Sequence, residues 1–282
     1  MTPKEGDGSR KPDLTLQEAA DLLGVHYMTA YRYVRTGRLP GTRVGTHWHV
    51  RRSDLDKIAA TAPAGRNAAT RRAPKKDYVR RLTSLLVRGD EAEAWRLLQA
   101  ALGSAYNPED LYFDVLGPAM RRIGAAWETG RLDVADEHRA TVVMYRLAGR
   151  LGPLFARPGT TRGTIVLGAP AGDPHGLATA LVADPLRGRG FSITDLGANT
   201  PAPSWANTIA ATQRIVGVGV VVSTPVDDTL IATTIAAIKV HHDGPVVLGG
   251  VAIHDEAHAI ELGGDIWTTS AREAVDHFDA TT

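Results

Sequence analysis

The sequence predicts a multidomain fold in which a winged helix-turn-helix, a four-helix bundle and an open α/β domain follow one another. Residues 14–60 show two amphipathic helices and an alternating hairpin, with capping and turn signals between them. Residues 77–157 are helical in periodicity throughout, whereas residues 163–282 alternate short β-branched runs with helical stretches. A chain of 282 residues is long enough for several domains of ordinary size.

Composition and charge exclude several classes of protein. The chain contains no cysteine, which excludes disulfides, thiolate catalysis and zinc–cysteine sites. We find no signal peptide and no apolar run of membrane-spanning length, so we expect a cytoplasmic protein without membrane contact. The net charge is only +1, yet residues 1–76 hold 15 Lys and Arg against 7 Asp and Glu. This basic part predicts contact with nucleic-acid phosphates, and a solubilising tail is the alternative.

The first element follows a tail, residues 1–13, that lacks periodicity and is expected to be disordered. Thr15 and Glu18 form a capping-box pattern that predicts the start of a helix. Gly24 supplies a turn, and a second helix is expected over residues 26–35.

A hairpin and a third helix complete this part of the chain. Residues 42–50 alternate around a turn at Gly45 and Thr46, and a helix is expected from Ser53. The motifs that carry a resemblance are Ala19-Ala20, Gly24, Tyr31-Arg32, Gly37, Leu39-Pro40, Val44-Gly45, Trp48 and Arg52-Ser53-Asp54-Leu55. In this order they resemble the MerR/excisionase-type winged helix, whose second helix enters the major groove while the wing follows the DNA backbone.

This resemblance implies that the domain binds operator DNA. The candidate groove-facing residues are His26, Tyr27, Thr29, Arg32 and Tyr33, and the candidate phosphate-contacting residues are Arg43, His47 and Arg51. A small helical domain that binds protein is the alternative. Residues 61–76, which contain no acid, are expected to form a basic flexible linker.

Four helices are expected next, near residues 77–88, 90–103, 108–126 and 133–152. Their short connections favour antiparallel neighbours and therefore a four-helix bundle over residues 77–157.

In residues 163–282, strands are expected at 164–169, 191–196, 216–222, 245–248 and 265–267. Helices near 176–188, 203–213, 227–239, 255–262 and 271–279 separate them. The alternation predicts a parallel, doubly wound sheet of Rossmann-like (flavodoxin-like) type.

Ligands of such sheets bind beyond the carboxyl ends of the strands, where three loops, at residues 169–175, 223–226 and 249–251, are expected to meet. The imidazole of His175 could ligate the metal of a bulky cofactor, and Asp173 could hold its other nitrogen. Gly249 and Gly250 would let a large planar ligand lie against backbone. A capping or surface histidine is the alternative for His175.

At these spacings, Asp173-x-His175, the Ser223 loop and Gly249-Gly250 resemble the cobalamin-binding domain shared with methionine synthase. The resemblance implies that His175 is the lower axial cobalt ligand and that the nucleotide tail of cobalamin enters a groove. The implied cofactor-binding residues of this domain are Asp173, His175, Gly176, Ser223, Thr224, Gly249 and Gly250. Two departures from the family pattern are Ala178 in place of a glycine and Pro225 in place of a leucine. A dinucleotide site is disfavoured because no Gly-x-Gly-x-x-Gly follows the first strand.

In the predicted bundle, Trp127 precedes the pair Glu137-His138 by nine intervening residues. Together with the winged helix and the cobalamin domain, this pattern resembles the light-sensing CarH/LitR-type regulators. The resemblance implies that Trp127 covers the adenosyl group of adenosylcobalamin and that Glu137 and His138 contact it. Alternatives are a core tryptophan and a solvated helix face. Known members carry a cobalt-capturing histidine after the tryptophan; here Glu128 predicts a weaker adduct, another ligand or an aquo form after illumination.

The resemblance implies a repressor, not an enzyme, that binds DNA as a dark, adenosylcobalamin-bound homo-oligomer (dimer or tetramer) and is released by light. A light-independent cobalamin or redox sensor, a bilin-binding sensor and a corrinoid carrier of a methyltransferase remain alternatives. His254 and His258 have the spacing of a metal pair, but we expect them to form a polar surface.

Overall fold

The computed structural model describes residues 14–23, 27–35, 37–45, 47–61, 75–104, 106–157 and 159–281. The predicted tail at 1–13, most of the predicted linker and His26 lie outside these residues. The chain forms two compact units: one contains the residues up to Tyr78 together with Trp95–Asn107, and the other contains Val79–Ala94 and Pro108–Thr282.

The predicted helix-turn-helix and wing are present near the N-terminus. The elements are β1 (Leu14–Thr15), α1 (Leu16–Leu23), α2 (Tyr27–Arg35), β2 (Gly41–Val44), β3 (His47–Val50) and α3 (Arg52–Thr61). Strand β3 is central in an antiparallel sheet of order β1-β3-β2. The two-residue strand β1 was not predicted from the sequence, and α3 begins one residue before Ser53.

The capping box at the start of α1 is confirmed by its hydrogen bonds. The Glu18 amide donates to Thr15 Oγ1 at 3.3 Å, and the Thr15 amide donates to the Glu18 carboxylate at 2.8 Å. The bond from the Thr15 amide lowers the pKa of Glu18. Behind the cap lies an apolar core formed by Leu16, Ala19, Ala20, Ala30, Val34, Leu39, Val50 and Leu55.

The next segment consists of helices, as predicted: α4 (Lys75–Val87), α5 (Glu91–Leu102), α6 (Pro108–Leu111), α7 (Gly117–Glu128) and α8 (Val134–Leu151). The predicted helix 108–126 is interrupted by a π-helical turn, Tyr112–Leu116, and continues to Glu128. Asp133 caps α8 by accepting a hydrogen bond from the Asp136 amide at 2.8 Å. Because α4 and α5 are each divided between the two units, their arrangement as a four-helix bundle stays a prediction.

The C-terminal part is a five-stranded sheet with crossover helices. Its elements are β4 (Thr164–Gly168), α9 (Leu177–Gly188), β5 (Ser192–Asp195), α10 (Ala202–Ala211), β6 (Ile215–Val221), α11 (Asp228–Lys239), β7 (Val246–Gly249), α12 (Glu256–Glu261), β8 (Ile266–Thr268) and α13 (Ala271–Thr281). The strand order is β5-β4-β6-β7-β8 and every pairing is parallel. This is the flavodoxin-like order of the doubly wound sheet, so the predicted fold is confirmed.

Both faces of the sheet are covered because alternate residues of each strand point to opposite sides. Ile165 and Leu167 pack with Phe278 of α13, whereas Val166 packs with Trp205 of α10. No helix among the described residues is both long and apolar enough to cross a membrane.

Polar contacts fasten the helical segment to the sheet on the side of α9. The Tyr112 hydroxyl, in the π-helical turn, donates to Asp184 of α9 at 2.6 Å, and burial together with this bond raises the pKa of Tyr112. Arg189, just after α9, donates to Glu109 of α6 at 2.6 Å. These contacts position α7 and α8 relative to the carboxyl edge of the sheet.

Candidate functional site

The switch point of the sheet lies between β4 and β6, where successive connections leave in opposite directions. Asp173, in the loop after β4, is fully buried there. Its Oδ1 accepts the His175 amide at 2.9 Å, and its Oδ2 accepts the Ser223 amide, from the loop after β6, at 2.5 Å. One carboxylate therefore joins the two loops that border the switch point.

The same carboxylate fixes the ring of His175. Asp173 Oδ1 lies 2.8 Å from His175 Nδ1. Because a carboxylate only accepts, Nδ1 carries the proton, which leaves the lone pair on Nε2. The His175 side chain is 45% exposed, so this nitrogen is accessible to a ligand. The pair has the geometry of a metal-ligating imidazole with its supporting carboxylate.

Two further residues shape this loop and were not predicted. The side-chain oxygen of Asn199 accepts a hydrogen bond from the Gly172 amide at 2.8 Å, and the backbone amide of Asn199 donates to the Asp173 carbonyl at 2.7 Å. The hydroxyl of Tyr145, on α8, lies only 3.0 Å from where a Cβ of Gly176 would be. Gly176 is thus required for the close approach of α8 to the His175 loop. Tyr145 could have been found from the sequence, because it shares a face of α8 with His138, seven residues earlier.

The structure gives the Gly249-Gly250 pair a reason within the protein itself. A Cβ on Gly250 would lie 2.1 Å from the Val222 carbonyl oxygen, and one on Gly249 would lie 2.6 Å from Thr268 Oγ1. Gly250 also has a φ of 114°, which disfavours any side chain. The missing side chains therefore make room for the neighbouring parts of the chain. Contact of either glycine with a cofactor stays a prediction.

The remaining predicted residues of the sheet domain surround the loop. Thr224 is half-buried beside Ser223, and Ala178 is half-buried in the first turn of α9. Val226 packs against the His175 loop, since its Cγ1 lies 3.2 Å from where a Cβ of Gly172 would be. Whether these residues hold a nucleotide tail stays a prediction.

Trp127 lies on α7, and Glu137 and His138 lie on α8; both helices belong to the unit that contains the five-stranded sheet. Trp127 is 46% exposed at the end of α7, so the alternative of a buried core tryptophan is wrong. Glu137 is half-buried and accepts a hydrogen bond from Thr141 at 2.7 Å. His138 is exposed, and its Nε2 lies 3.7 Å from the Glu137 carboxylate. At 1.5 Å per residue, His138 is about 10 Å along α8 from Tyr145.

The exposed apolar side chains of α7 and α8 need a partner. Trp127, Val142 and Tyr145 are 46%, 50% and 43% exposed. Tyr145 contacts the His175 loop, which shows that this side of α8 borders the carboxyl edge of the sheet. An apolar helix face beside an accessible imidazole fits a bulky, partly apolar ligand with a metal at its centre.

The pair His254 and His258 does not form a metal centre with its neighbours. The two rings stack with centroids 5.1 Å apart, and His258 Nε2 lies 3.4 Å from Asp228. In the part of the chain that the structure describes, no cluster of three or more His, Asp or Glu residues could hold a metal ion.

Three of the predicted DNA-contacting side chains can be placed. Tyr33 is half-buried in α2 with the Arg38 guanidinium 4.6 Å above its ring, while Arg43 of β2 and Arg51 after β3 are exposed. The side chains of Tyr27, Thr29, Arg32 and His47 lie outside the described part of the chain. Contact of any of these residues with DNA stays a prediction.

Comparison with known proteins identifies two domains. Residues 78–151 match the B12 binding domain, and residues 14–62 match the helix-turn-helix domain. The B12 match falls on α4 to α8, which carry Trp127, Glu137 and His138. The sequence pattern for cobalamin was strongest in the sheet, so the helices provide a second indication.

Among curated relatives, trimethylamine corrinoid protein 1 of Methanosarcina acetivorans is 23% identical over 208 residues, which covers 72% of this chain and 96% of that protein. The HTH-type transcriptional repressor CarA of Myxococcus xanthus is 28% identical over 159 residues, covering 56% of this chain and 53% of that protein. The structure of the Methanosarcina barkeri monomethylamine corrinoid protein matches with a TM-score of 0.60 and 18% identity, covering 73% of this chain and 99% of that one. This structural likeness concerns the fold.

The residues present fit cobalamin. His175 offers a half-exposed imidazole backed by a buried carboxylate, Tyr145 of α8 lies against the same loop, and α7 exposes the Trp127 indole. The chain therefore joins a B12-binding domain to a helix-turn-helix domain, a combination that fits a CarH-like B12-binding regulator.

Proposed function

We propose that the protein is a transcriptional repressor whose hold on DNA depends on bound adenosylcobalamin and is released by light. The observation that carries the proposal is the joining of a helix-turn-helix domain to the Asp173–His175 pair at the sheet's switch point. An exposed indole, Trp127, on a helix of the same unit supports an upper contact.

Each residue has a distinct task in this proposal. His175 would hold the cobalt through Nε2, and Asp173 would keep its ring in the ligating tautomer. Trp127 would shield the adenosyl group from water, and the Glu137 carboxylate would accept hydrogen bonds from its hydroxyls. Adenosylcobalamin supplies a cobalt–carbon bond that light breaks.

Without the adenosyl group, Trp127, Glu137 and His138 would have no ligand to contact. Helix α8, which touches the His175 loop through Tyr145, would then be free to shift relative to that loop. We expect such a shift to dissolve a homo-oligomer whose several winged helices bind the operator together, so that multivalent affinity is lost. Glu128, exposed after Trp127, offers a carboxylate, a poorer cobalt ligand than imidazole.

The deciding experiment measures absorption, size and DNA binding of the adenosylcobalamin-loaded protein before and after illumination. We expect a spectral change, a smaller species on a sizing column and release of DNA. An identical sample kept in the dark is the control. Ligand-dependent DNA binding that ignores light would show a light-independent sensor, and binding of a bilin in place of cobalamin would show another chromophore; either outcome contradicts the proposal.

A corrinoid carrier for a methyltransferase is the second candidate, because relatives along most of the chain are corrinoid proteins. The helix-turn-helix domain separates the two functions. A carrier should bind cobalamin with no effect on DNA affinity, whereas the proposed repressor should bind DNA more tightly in the adenosylcobalamin-loaded dark state.

Replacing Trp127 with alanine tests the upper contact. We expect the full-length Trp127→Ala variant to retain cobalamin binding and the DNA contact made by its winged helix, but to lose the difference in oligomer size between loaded and unloaded protein. The physical reason is that an exposed indole contributes little to folding but much of the apolar cover. Val240→Ala, which truncates another exposed apolar side chain after α11, is the matched control and should keep the size difference. Unchanged coupling in Trp127→Ala would exclude the indole from the switch.

A further inference from the structure

The helical part of the larger unit contains a pocket whose lining is dominated by arginine. Helix α4, helix α7 and the loop that follows α7 enclose about 320 Å³ there. Arg80, Arg88, Arg122 and Arg131 line it, together with the hydroxyl-bearing Thr83 and Ser84. No carboxylate is among the lining residues.

The sequence explains why these side chains meet. Arg80 and Ser84 lie on α4, and Arg88 follows directly after its last residue, where its amide still donates to the Ser84 carbonyl at 3.3 Å. The spacing of four residues therefore places all three on one side of the helix end. On α7, Arg122 and Ala126 have the same spacing and face the same pocket.

The fourth arginine is held in place by its own turn. Gly130 adopts a φ of 68°, and the Arg131 amide then donates to the Ala126 carbonyl at 2.8 Å. Arg131 Nε donates to Thr129 Oγ1 at 3.0 Å, and that hydroxyl donates to the Ala125 carbonyl at 2.7 Å. The guanidinium is positioned before any ligand arrives, which lowers the entropy lost on binding.

Two of the arginines at the pocket have no acidic partner: among the described residues, Arg88 and Arg122 form no ion pair. Asp136 is engaged by Arg139, whose guanidinium also donates to the carbonyl of the lining residue Val87 at 2.7 Å. Several guanidinium groups around one concave surface repel one another, and an anion with several oxygens would remove that repulsion.

We propose that this pocket binds a phosphate group. Guanidinium groups bind phosphate oxygens in a bidentate manner, and the hydroxyls of Thr83 and Ser84 can donate to the same oxygens. The phosphate comes either from a free phosphorylated small molecule or from the backbone of DNA already bound by the helix-turn-helix domain. The proposal does not depend on cobalamin or on light.

The test compares the double variant Arg88→Gln, Arg122→Gln with the control Arg146→Gln, Arg150→Gln. Both double variants remove two positive charges from exposed positions of the larger unit, but Arg146 and Arg150 pair with Glu91 outside the pocket. In the full chain without DNA, inorganic pyrophosphate should raise the melting temperature relative to sodium chloride of equal ionic strength. The rise should vanish in the pocket variant and persist in the control.

A second arm measures binding to a mixed-sequence DNA duplex as a function of salt. If the phosphate belongs to DNA, the slope of log K against log salt should become shallower by about 0.9 for each lost phosphate contact in the pocket variant alone. A pyrophosphate effect with an unchanged slope assigns the site to a free phosphorylated molecule. If neither the melting temperature nor the slope separates the two variants, the proposal is wrong. Cobalamin binding should be normal in both, so failure here leaves the regulator proposal untouched.

Discussion

His175→Ala is expected to abolish imidazole ligation of cobalt and to change the absorption spectrum of the bound cobalamin. The imidazole Nε2 is the atom of the loop that we propose as the metal ligand, and alanine supplies no substitute. Asp173→Asn should have a smaller effect, because the ring stays while its supporting charge is lost. Losing such a supporting partner typically weakens metal affinity about 10–100-fold. Absorption titrations with cobalamin measure both effects.

The matched control for His175→Ala is His241→Ala, which removes an exposed imidazole after α11, at the amino edge of the sheet. It should bind cobalamin with the parent's affinity and spectrum. If His175→Ala also retained the parent spectrum, another group would have to supply the lower ligand, and the assignment of His175 would be wrong.

Gly250→Ala is expected to prevent stable folding of the sheet domain. The new Cβ would lie 2.1 Å from the Val222 carbonyl oxygen, and neither atom can move without breaking the backbone contact between the loops after β6 and β7. The Ala252 amide donates to that same carbonyl at 3.2 Å, which holds it in place. We expect a loss above about 4 kcal/mol, the range reached when a packed interior is overfilled at a strained position. Chemical denaturation of the cobalamin-free protein measures it.

The variant Gly197→Ala separates the cost of backbone strain from the cost of a steric clash. Gly197 has a φ of 67°, but nothing lies within 4 Å of where its Cβ would be. Its substitution should therefore cost only about 1–2 kcal/mol, the price of a left-handed backbone for an alanine. Equal, small losses of unfolding free energy in both variants would mean that the contact of Gly250 with Val222 relaxes easily. Contact with a ligand would then be the better explanation of the glycine pair.

Much of the fold could be predicted because each part has local signals. The β-branched runs placed all five parallel strands within a residue or two, and the Thr15–Glu18 cap placed α1. Strand β1 could not be predicted, since two residues carry no pattern and depend on pairing with β3. The π-helical turn Tyr112–Leu116 was also missed, because a change confined to a single turn is too short to be recognised in the periodicity of a long helical segment.

The sequence indicated which residue types form the candidate site, but not the hydrogen bonds that connect its loops. Spacing alone placed Asp173 and His175 in the loop after β4, and the hydrogen bond between them is present. The bond from the Ser223 amide to Asp173 joins residues fifty positions apart, and sequence carries no signal for its direction. The close approach of Gly250 to Val222 was missed for a similar reason: a glycine can make room for a ligand or for the chain, and the sequence does not show which atoms lie near it.

One carboxylate oxygen of Asp173 accepts hydrogen bonds from the imidazole and the backbone amide of His175. The other accepts a hydrogen bond from the Ser223 amide, in the loop after β6. A substitution of Asp173 that changes how the His175 ring is held must therefore also disturb the link to the Ser223 loop, so this position has little freedom to diverge. The exposed side chains of α7 and α8 do not hold two loops of the sheet together in this way. We therefore expect proteins with this sheet to differ mainly in these helices, where a few substitutions could make a cofactor-binding protein respond to the state of its cofactor.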